Sequence, residues 1–237
     1  MRATFICLAA LLLLPASSAE AASLRVSPVT LDVRMPRSAA TLTLRNDANR
    51  PLDVQVRVFR WTQSDGADQY EPTTAVVASP PVTRLTPNTD YTVRVVRTSK
   101  APITTEESYR IVIDEIPTKS VQRSGTINLV VRHSIPVFFR NPQAAAPKVS
   151  WSLARTGGKT KLIARNTGGS RLKLASLSLQ QGDARLYAMK GLLGYVLAGA
   201  TVELPVVLQR RLSSSTVTLT AKSQLGTIHE SVSVVGR

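Results

Sequence analysis

The chain has 237 residues, of which 43% are hydrophobic, and its 30 basic and 15 acidic residues give a net charge of +15 at pH 7. A chain of this length can bury the apolar cores of two domains. The charge favours an anionic partner, but only 5% of the residues are aromatic, which leaves few platforms for stacking nucleic-acid bases. We therefore expect an acidic protein partner and no nucleic-acid ligand.

The first 21 residues have the three parts of a secretory signal peptide. Arg2 gives a positive start, residues 5–14 are apolar, and small residues flank Glu20. We expect cleavage after Ala21, with a buried N-terminal helix as the alternative. The single cysteine, Cys7, lies in the segment that cleavage removes, so no disulfide is expected in the exported chain. No later apolar run reaches the roughly 18–20 residues that span a bilayer, so we expect no membrane insertion.

Short segments of alternating polarity follow, separated by turn residues, and none has a sustained helical period. In the first half these predicted strands are residues 24–33, 40–46, 52–61, 91–97, 109–116 and 127–139. Many short strands at this spacing are typical of a β-sandwich, and the immunoglobulin fold is the natural subclass.

The pattern is interrupted at residues 141–147, NPQAAAP, which two prolines make a short and stiff connector. It then resumes with predicted strands at residues 149–153, 161–166, 172–179, 201–208, 216–221 and 229–235. The sequence thus predicts an all-β protein with a signal peptide at 1–21, an N-terminal immunoglobulin-like domain at 22–141, a linker at 142–147 and a C-terminal immunoglobulin-like domain at 148–237.

The last predicted strand of the first half lies within GTINLVVRHSIPVFFR, residues 125–140. Its apolar residues occupy every second position, broken only by His133, over more than twice the usual strand length of about 5–6 residues. A strand that long outruns its neighbours and exposes an edge, which is either an aggregation hazard or a docking site for another chain's backbone. Alternation alone leaves open whether Ile127, Leu129 and Val131 face a partner or the chain's own core.

Several segments together resemble the periplasmic chaperones of chaperone–usher pilus assembly, the PapD-like superfamily. The resemblance covers essentially the whole mature chain, and it depends on the order and spacing of the segments, since no single one is specific. They are ND at 46–47, VRVFRW at 56–61, SPPV at 79–82, LTP at 85–87, YRIVIDEIP at 109–117, SIPVFF at 134–139, KLIARN at 161–166 and YVLAG at 195–199. The YRIVIDEIP and SIP segments are similar to those of the archaic or alternative branch.

This resemblance implies two immunoglobulin-like β-sandwich domains in an L or boomerang arrangement, and a chaperone rather than an enzyme. Members of the family cap pilus subunits in the periplasm, supply the strand that each subunit lacks, and deliver the subunits to an outer-membrane usher. Matching the last strand of the first domain assigns the donor side chains to Ile127, Leu129 and Val131. No cofactor or metal is implied, and whether the free chaperone caps its own donor strand as a dimer is left open.

The family also binds the subunit's C-terminal carboxylate with a cation between the domains, and this contact fixes the register of the donor strand. The two anchors of the better-known branch do not carry over. The lysine of its last strand aligns with Pro136, and the arginine of its first strand aligns near Thr30, or near Pro28 if one gap is allowed. Arg110 is the leading candidate, Arg132 the second and Arg25 a weaker third. An arginine suits the task because its planar fork can bind both carboxylate oxygens. The alternative for each of them is a solvated surface charge.

The residues that suggest catalysis do not form a site in the sequence. Asp114 and Glu115 are adjacent on a predicted strand and point to opposite faces, so we expect an ion pair with an arginine at the domain junction instead. The only histidines, His133 and His229, have no second ligand at metal spacing. The competing function is an exported immunoglobulin-like adhesive or structural protein that self-associates through its long edge strand.

Overall fold

The computed structural model describes residues 24–116 and 130–236. The predicted signal peptide at 1–21 and the donor candidates Ile127 and Leu129 therefore lie outside the described residues. Across the described ranges the chain is all-β and contains no helix, as the sequence predicts. Within the same ranges no helix is long and apolar enough to cross a membrane.

The first half of the molecule is an immunoglobulin-like sandwich of two sheets. Its described strands are β1 (Leu24–Ser27), β2 (Leu31–Arg34), β3 (Ala39–Asn46), β4 (Leu52–Ser64), β5 (Ala67–Pro72), β6 (Val76–Ser79), β7 (Val82–Leu85), β8 (Asp90–Arg97), β9 (Glu107–Ile116) and β10 (Arg132–Arg140). Sheet 1 has the order β1-β3-β8-β6, and sheet 2 has the order β2-β10-β9-β4-β5, with β7 also pairing with β4. Strand β2 runs parallel to β10, whereas β9 is antiparallel to both β4 and β10.

Alternate residues of the two sheets form the core of this sandwich, because successive side chains on a strand point to opposite faces. Sheet 1 contributes Leu42 and Val93, and sheet 2 contributes Ile111, Val137 and Phe139, all of them fully buried. The side chains on the other face of sheet 2 point away from this core, and they form the candidate functional site.

The single strand predicted at 24–33 is wrong, because the chain forms two strands there. Strand β1 pairs with β3 in sheet 1, and β2 pairs with β10 in sheet 2. Pro28 stands between them and has no N–H to donate to a ladder, so the pairing stops and the chain crosses to the other sheet. Val29, in the crossing, is 70% exposed.

The second half is a continuous ladder that wraps around its own core. Its described strands are β11 (Val149–Thr156), β12 (Lys159–Asn166), β13 (Leu172–Gln181), β14 (Ala184–Val196), β15 (Thr201–Val206), β16 (Thr216–Ser223) and β17 (Gly226–Val235). Their order is β14-β13-β16-β17-β11-β12-β15. Register shifts between Leu174 and Leu177 mark β-bulges in β13, which bend the sheet around buried leucines such as Leu153, Leu179 and Leu219.

A buried asparagine closes the corresponding strand in each domain. Asn46 ends β3, donates to the carbonyl oxygens of Arg50 and Leu85, and accepts the N–H of Ala48. Asn166 ends β12, where it donates to three carbonyl groups and accepts two N–H groups. Because a buried amide is stable only when its polar atoms are satisfied, each asparagine fixes the turn that follows it. The two domains share this local plan.

The segment between β10 and β11 is held against the second domain. The N–H of Gly169 donates to the carbonyl oxygen of Ala145 at 3.1 Å, and the Ser170 hydroxyl donates to the same oxygen at 2.9 Å. A Cβ on Gly168 would overlap the carbonyl oxygen of Ala146, so the close approach requires glycine there. These contacts hold the middle of the connector against the second domain.

Candidate functional site

A group of three arginines lies on the outer face of sheet 2, opposite the core, on adjacent strands. Arg57 lies on β4, Arg110 on β9 and Arg132 on β10. The register places Arg110 beside Phe59 on one side and Pro136 on the other, and it places Arg132 beside Asp114. Alternation therefore brings three guanidinium groups and one carboxylate to the same face.

Asp114 forms ion pairs with two of these arginines. It accepts hydrogen bonds from Arg57 at 2.6 Å and from Arg132 at 2.5 Å. Burial alone would raise the pKa of Asp114, but these hydrogen bonds outweigh burial and lower its pKa below the ordinary value for Asp. Glu115 faces the other way, as alternation predicts. The predicted position of the Asp114 ion pair is wrong, however, because both of its arginine partners belong to sheet 2 and not to the domain junction.

Arg110 is the arginine of this group that has no carboxylate within ion-pair distance among the described residues. Its guanidinium carbon lies 3.9 Å from the ring centre of Trp61, which is a cation–π contact. Its Nε atom is buried and has no hydrogen-bond partner in the described part of the chain. A guanidinium that is partly desolvated and lacks a counter-ion is a ready binding site for a carboxylate.

Trp61 belongs to a small apolar cluster that joins the two domains. Its ring centre lies 5.8 Å from that of Phe138 in the first domain and 5.6 Å from that of Tyr195 in the second. Leu197 and Ala200 of the second domain complete the cluster. Because Trp61 is only 2% exposed, the domains hold the ring that supports Arg110 in one position.

Polar contacts align the same junction. The side-chain amide of Gln63 donates to the carbonyl oxygen of Tyr195 and accepts the N–H of Leu197, each at 2.9 Å. The N–H of Glu203 donates to the carbonyl oxygen of Gly66 at 3.1 Å. These bonds set the β4–β5 turn against the ends of β14 and β15.

A second arginine, Arg171, fastens the opposite side of the junction. It belongs to the second domain and forms ion pairs with Glu106 and, at 2.8 Å, with Asp32 of the first domain. Its guanidinium carbon also lies 3.6 Å from the ring centre of Phe138. Burial raises the pKa of Glu106 even though Arg171 opposes that shift, so this carboxylate depends on its arginine for compensation.

Two recesses meet at Arg110. One, of about 300 Å³, is lined by both domains, including Trp61, Leu174 and Tyr195. The other, of about 320 Å³, lies on sheet 2 between Arg110 and Arg132. Arg110 lines both, so a chain end that entered the space between the domains would meet its guanidinium.

The predicted donor strand is described only in its second part. Strand β10 begins at Arg132, so Val130 and Val131 lie just outside the ladder, and residues 127–129 lie outside the described residues. The carbonyl oxygen of Val131 still accepts the N–H of Glu115 at 3.4 Å. Val131 is half-buried, and the later residues of the same alternating set, such as Ile135, are buried in the chain's own core.

The other candidates identified in the sequence are placed away from this junction. Arg25 is on sheet 1 and pairs with Asp47 at 2.7 Å. His133 and Glu115 lie on the core side of sheet 2, each with one buried side-chain atom that has no hydrogen-bond partner in the described ranges. Burial raises the pKa of Glu115, and His133 opposes that shift. In the described ranges, no three His, Cys, Asp or Glu residues are grouped as a metal site would require.

The family comparison identifies the chain. The model of the family described as "Pili and flagellar-assembly chaperone, PapD N-terminal domain" matches residues 23–145, just over half of the sequence. The chain belongs to this family of pilus-assembly chaperones. This membership disfavours the adhesive or structural alternative, and a chaperone works by binding rather than by catalysis.

Individual relatives agree with the family assignment. The protein named "Probable fimbrial chaperone YadV" from Escherichia coli K12 is 25% identical, over 71% of this chain and 73% of its own length. The chaperone–adhesin complex CsuC–CsuE, from the archaic chaperone–usher Csu pili of Acinetobacter baumannii, matches with a TM-score of 0.69 and 22% identity, over 90% of this chain and 98% of the solved one. The Salmonella enterica complex of SafA pilin with the SafB chaperone matches with a TM-score of 0.59 and 21% identity, over 88% and 95%. At such identities the solved structures show the shared fold.

Two features of the pilus-assembly chaperone's site were missed in the sequence. Trp61 was noted only as part of a motif, although it supports Arg110 from a strand 49 positions earlier in the chain. Arg171 was not singled out at all, although it holds Glu106 and Asp32 across the junction. Both roles depend on contacts between distant segments, which alternation within one strand does not reveal.

Proposed function

We propose that this chaperone works in the periplasm, where it caps pilus subunits and delivers them to an outer-membrane usher. It donates the segment that carries Ile127, Leu129 and Val131 to a subunit that lacks a strand, and it binds the subunit's C-terminal carboxylate with Arg110. The observation that carries the proposal is the Arg110 guanidinium, which lies over Trp61 between the domains with no carboxylate partner among the described residues.

The charges on the outer face of sheet 2 favour Arg110 over Arg132 as the first contact. Arg132 is already paired with Asp114, so a second carboxylate would have to compete for it. Arg110 has no such competitor in the described chain, and its planar group presents free N–H donors to an incoming carboxylate. Arg132 then flanks the site and adds positive charge at the neighbouring recess.

The donor strand works by backbone pairing and pocket filling. A subunit without its final strand exposes unpaired N–H and C=O groups along a groove, and an extended donor satisfies them. Each apolar donor side chain that becomes buried contributes about 1.5–3 kcal/mol, less the cost of ordering the strand. Because a slip of one residue would turn every donor side chain away from the groove, an anchored carboxylate selects the register.

The proposal also covers the domain bounds, the mature form and the free state of the chaperone. We propose that the folding units are residues 22–141 and 148–237, joined by the connector at 142–147, and that cleavage after Ala21 releases the mature chain. The chaperone needs no cofactor, since strand donation is a binding reaction. When no subunit is present, an exposed donor edge can pair with the same edge of a second copy, which gives a self-capped dimer.

Co-expression with a cognate pilus subunit tests the proposal. Leu129→Glu should leave the chaperone folded but abolish recovery of the subunit, because a carboxylate cannot enter an apolar pocket. Asn128→Glu is the matched control, since it places the same charge on the preceding residue, which points to the opposite side of an extended strand. If Leu129→Glu unfolds the chaperone, or if it recovers as much subunit as Asn128→Glu, Leu129 is not a donor residue.

A further inference from the structure

Positive charge is distributed unevenly between the two domains. After Pro147 the sequence contains thirteen Lys and Arg residues but only three Asp and Glu residues. Six of these basic residues line three adjoining recesses at one end of the second domain; they are Arg155, Lys159, Lys161, Arg185, Arg210 and Arg211. We call this group the basic tip.

The basic tip is at the end of the second domain that faces away from the first. Strands β11, β12, β14 and β15 each have one end near the junction, where Lys148, Asn166, Tyr195 and Glu203 lie. The basic tip is formed by the other ends of these strands and by the loop after β15. Apart from Lys161, which pairs with the junction residue Glu203, the tip is therefore separate from Arg110 and from the space in which a subunit's carboxylate would bind.

The recess of the tip that is lined by the most basic residues has a volume of about 520 Å³. Arg155, Lys159, Arg210 and Arg211 surround it, and all four are exposed. Val207, which also lines it, is 85% exposed, the largest exposed fraction among the large apolar side chains of the described ranges. The recess thus combines several cations with one apolar contact point.

These cations are not neutralised by the protein itself. Lys161 pairs with Glu203 at 2.6 Å. The other five basic residues of the tip have no carboxylate within ion-pair distance in the described part of the chain, although Asp183 lines the recess next to Arg185 and Arg210. Like charges gathered without counter-ions cost stability, and a partner that supplies the missing negative charge removes this cost.

We propose that the basic tip docks an acidic segment of another polypeptide, with an apolar side chain of that segment packed on Val207. This partner contact goes beyond subunit capping, since it uses the far end of the second domain. A polypeptide fits better than a bilayer because the cations line recesses that a short chain segment can enter, whereas a bilayer would meet only their rims. Long-range attraction to five uncompensated cations would speed docking and make it sensitive to salt.

A binding assay with the full mature chaperone tests this. The probe is a short fluorescein-labelled peptide in which Glu alternates with Leu, and its comparison peptide has Gln in place of every Glu. Binding is followed by fluorescence anisotropy at low and at physiological salt. Vesicles that contain phosphatidylglycerol, with phosphatidylcholine vesicles as their control, serve as the membrane probe in a co-sedimentation assay.

Two double variants distinguish the contribution of the basic tip to peptide binding from the contribution of the overall net charge. Arg210→Glu/Arg211→Glu should weaken binding of the acidic peptide at least about tenfold, without a change in thermal unfolding, since neither side chain has a partner in the described structure. Lys190→Glu/Lys222→Glu changes the net charge equally at exposed positions that line none of the three recesses, and it should change the affinity less than about twofold. Val207→Ser should weaken binding of the Glu–Leu peptide while leaving its salt dependence unchanged.

Three results would overturn the proposal. The first is an equal loss of peptide binding in the two double variants, which would mean that only net charge matters. The second is binding of the phosphatidylglycerol vesicles, lost with Arg210→Glu/Arg211→Glu, without binding of the acidic peptide, which would make the tip a membrane contact. The third is no binding of either probe by the unmodified chaperone at low salt.

Discussion

The guanidinium of Arg110 lies over the ring of Trp61, 3.9 Å from its centre, and the same ring packs edge-on against Tyr195 of the second domain. The cation that we assign to the subunit's carboxylate is therefore supported by the apolar cluster that joins the domains. Because the position of Arg110 depends on this cluster, the contacts that hold the two domains together also hold the residue that would bind the subunit's C-terminus.

Arg110→Ala should weaken subunit binding by about 2 kcal/mol or more, which is about 30-fold in affinity, because it removes one side of a charge pair that becomes buried. Isothermal titration of a purified subunit into the chaperone measures this. Arg94→Ala is a suitable control, since Arg94 is exposed on sheet 1 and should leave the affinity unchanged. If Arg110→Ala binds as tightly as the control, the anchor lies elsewhere.

Arg132→Ala should have a smaller effect than Arg110→Ala, since Asp114 already occupies Arg132. A subunit with an amidated C-terminus separates the two residues further. Amidation should weaken binding to the unmodified chaperone and to the Arg132→Ala variant, but not to Arg110→Ala, in which the partner of the carboxylate is already missing. The reverse pattern would make Arg132 the anchor.

Arg171→Met should lower the free energy of unfolding by about 3 kcal/mol, because it leaves the Glu106 carboxylate buried without its compensating charge. Urea unfolding followed by the fluorescence of Trp61 and Trp151 measures the loss. Adding Glu106→Gln to this variant should restore part of the stability. If the double variant is as unstable as Arg171→Met alone, the loss comes from the contact with Phe138 and not from the charge.

The free energy of unfolding should decrease in acid, in part because Asp114 becomes protonated and loses its ion pairs. Its lowered pKa means that the folded state favours the ionised carboxylate, so this contribution is present above the ordinary Asp pKa, about 3.9, and is lost as pH falls through the lowered value. Asp114→Asn should therefore be less stable than the unmodified chain at neutral pH, and the difference should narrow below about pH 4. Thermal unfolding across this range checks it, and a difference that stays constant with pH would contradict the assignment.

The sequence predicted most strands because one face of each is buried. Alternation located β3, β8, β9 and β12, whose burial patterns repeat every second residue. It missed β5, in which all six residues are exposed, and β6 and β7, which are four residues each and are separated by Pro80 and Pro81. It also missed β14, whose residues 188–192 are all exposed. Strands without a buried face leave no periodic signal.

The candidate site was predicted less completely than the fold. The resemblance to a family pointed to Arg110. Nothing near Arg110 in the sequence shows that Trp61 lies beneath its guanidinium. Nor does it show that Asp114 pairs with Arg57 and Arg132, which makes them less available to a second carboxylate. Those relationships arise from the register of β4, β9 and β10, which pair residues up to 63 positions apart. Strand pairing is set by the whole sheet, so its consequences are visible only once the sheet is assembled.

Hydrogen–deuterium exchange of the chaperone, alone and bound to a pilus subunit, tests strand donation most directly. If this chain completes the subunit's sheet, alternate amides within residues 125–131 gain strong protection in the complex, because every second N–H of the donor strand then pairs with the subunit's backbone. If those amides exchange equally fast with and without the subunit, while another edge such as β1 or β6 becomes protected, the donor strand is not the one assigned here.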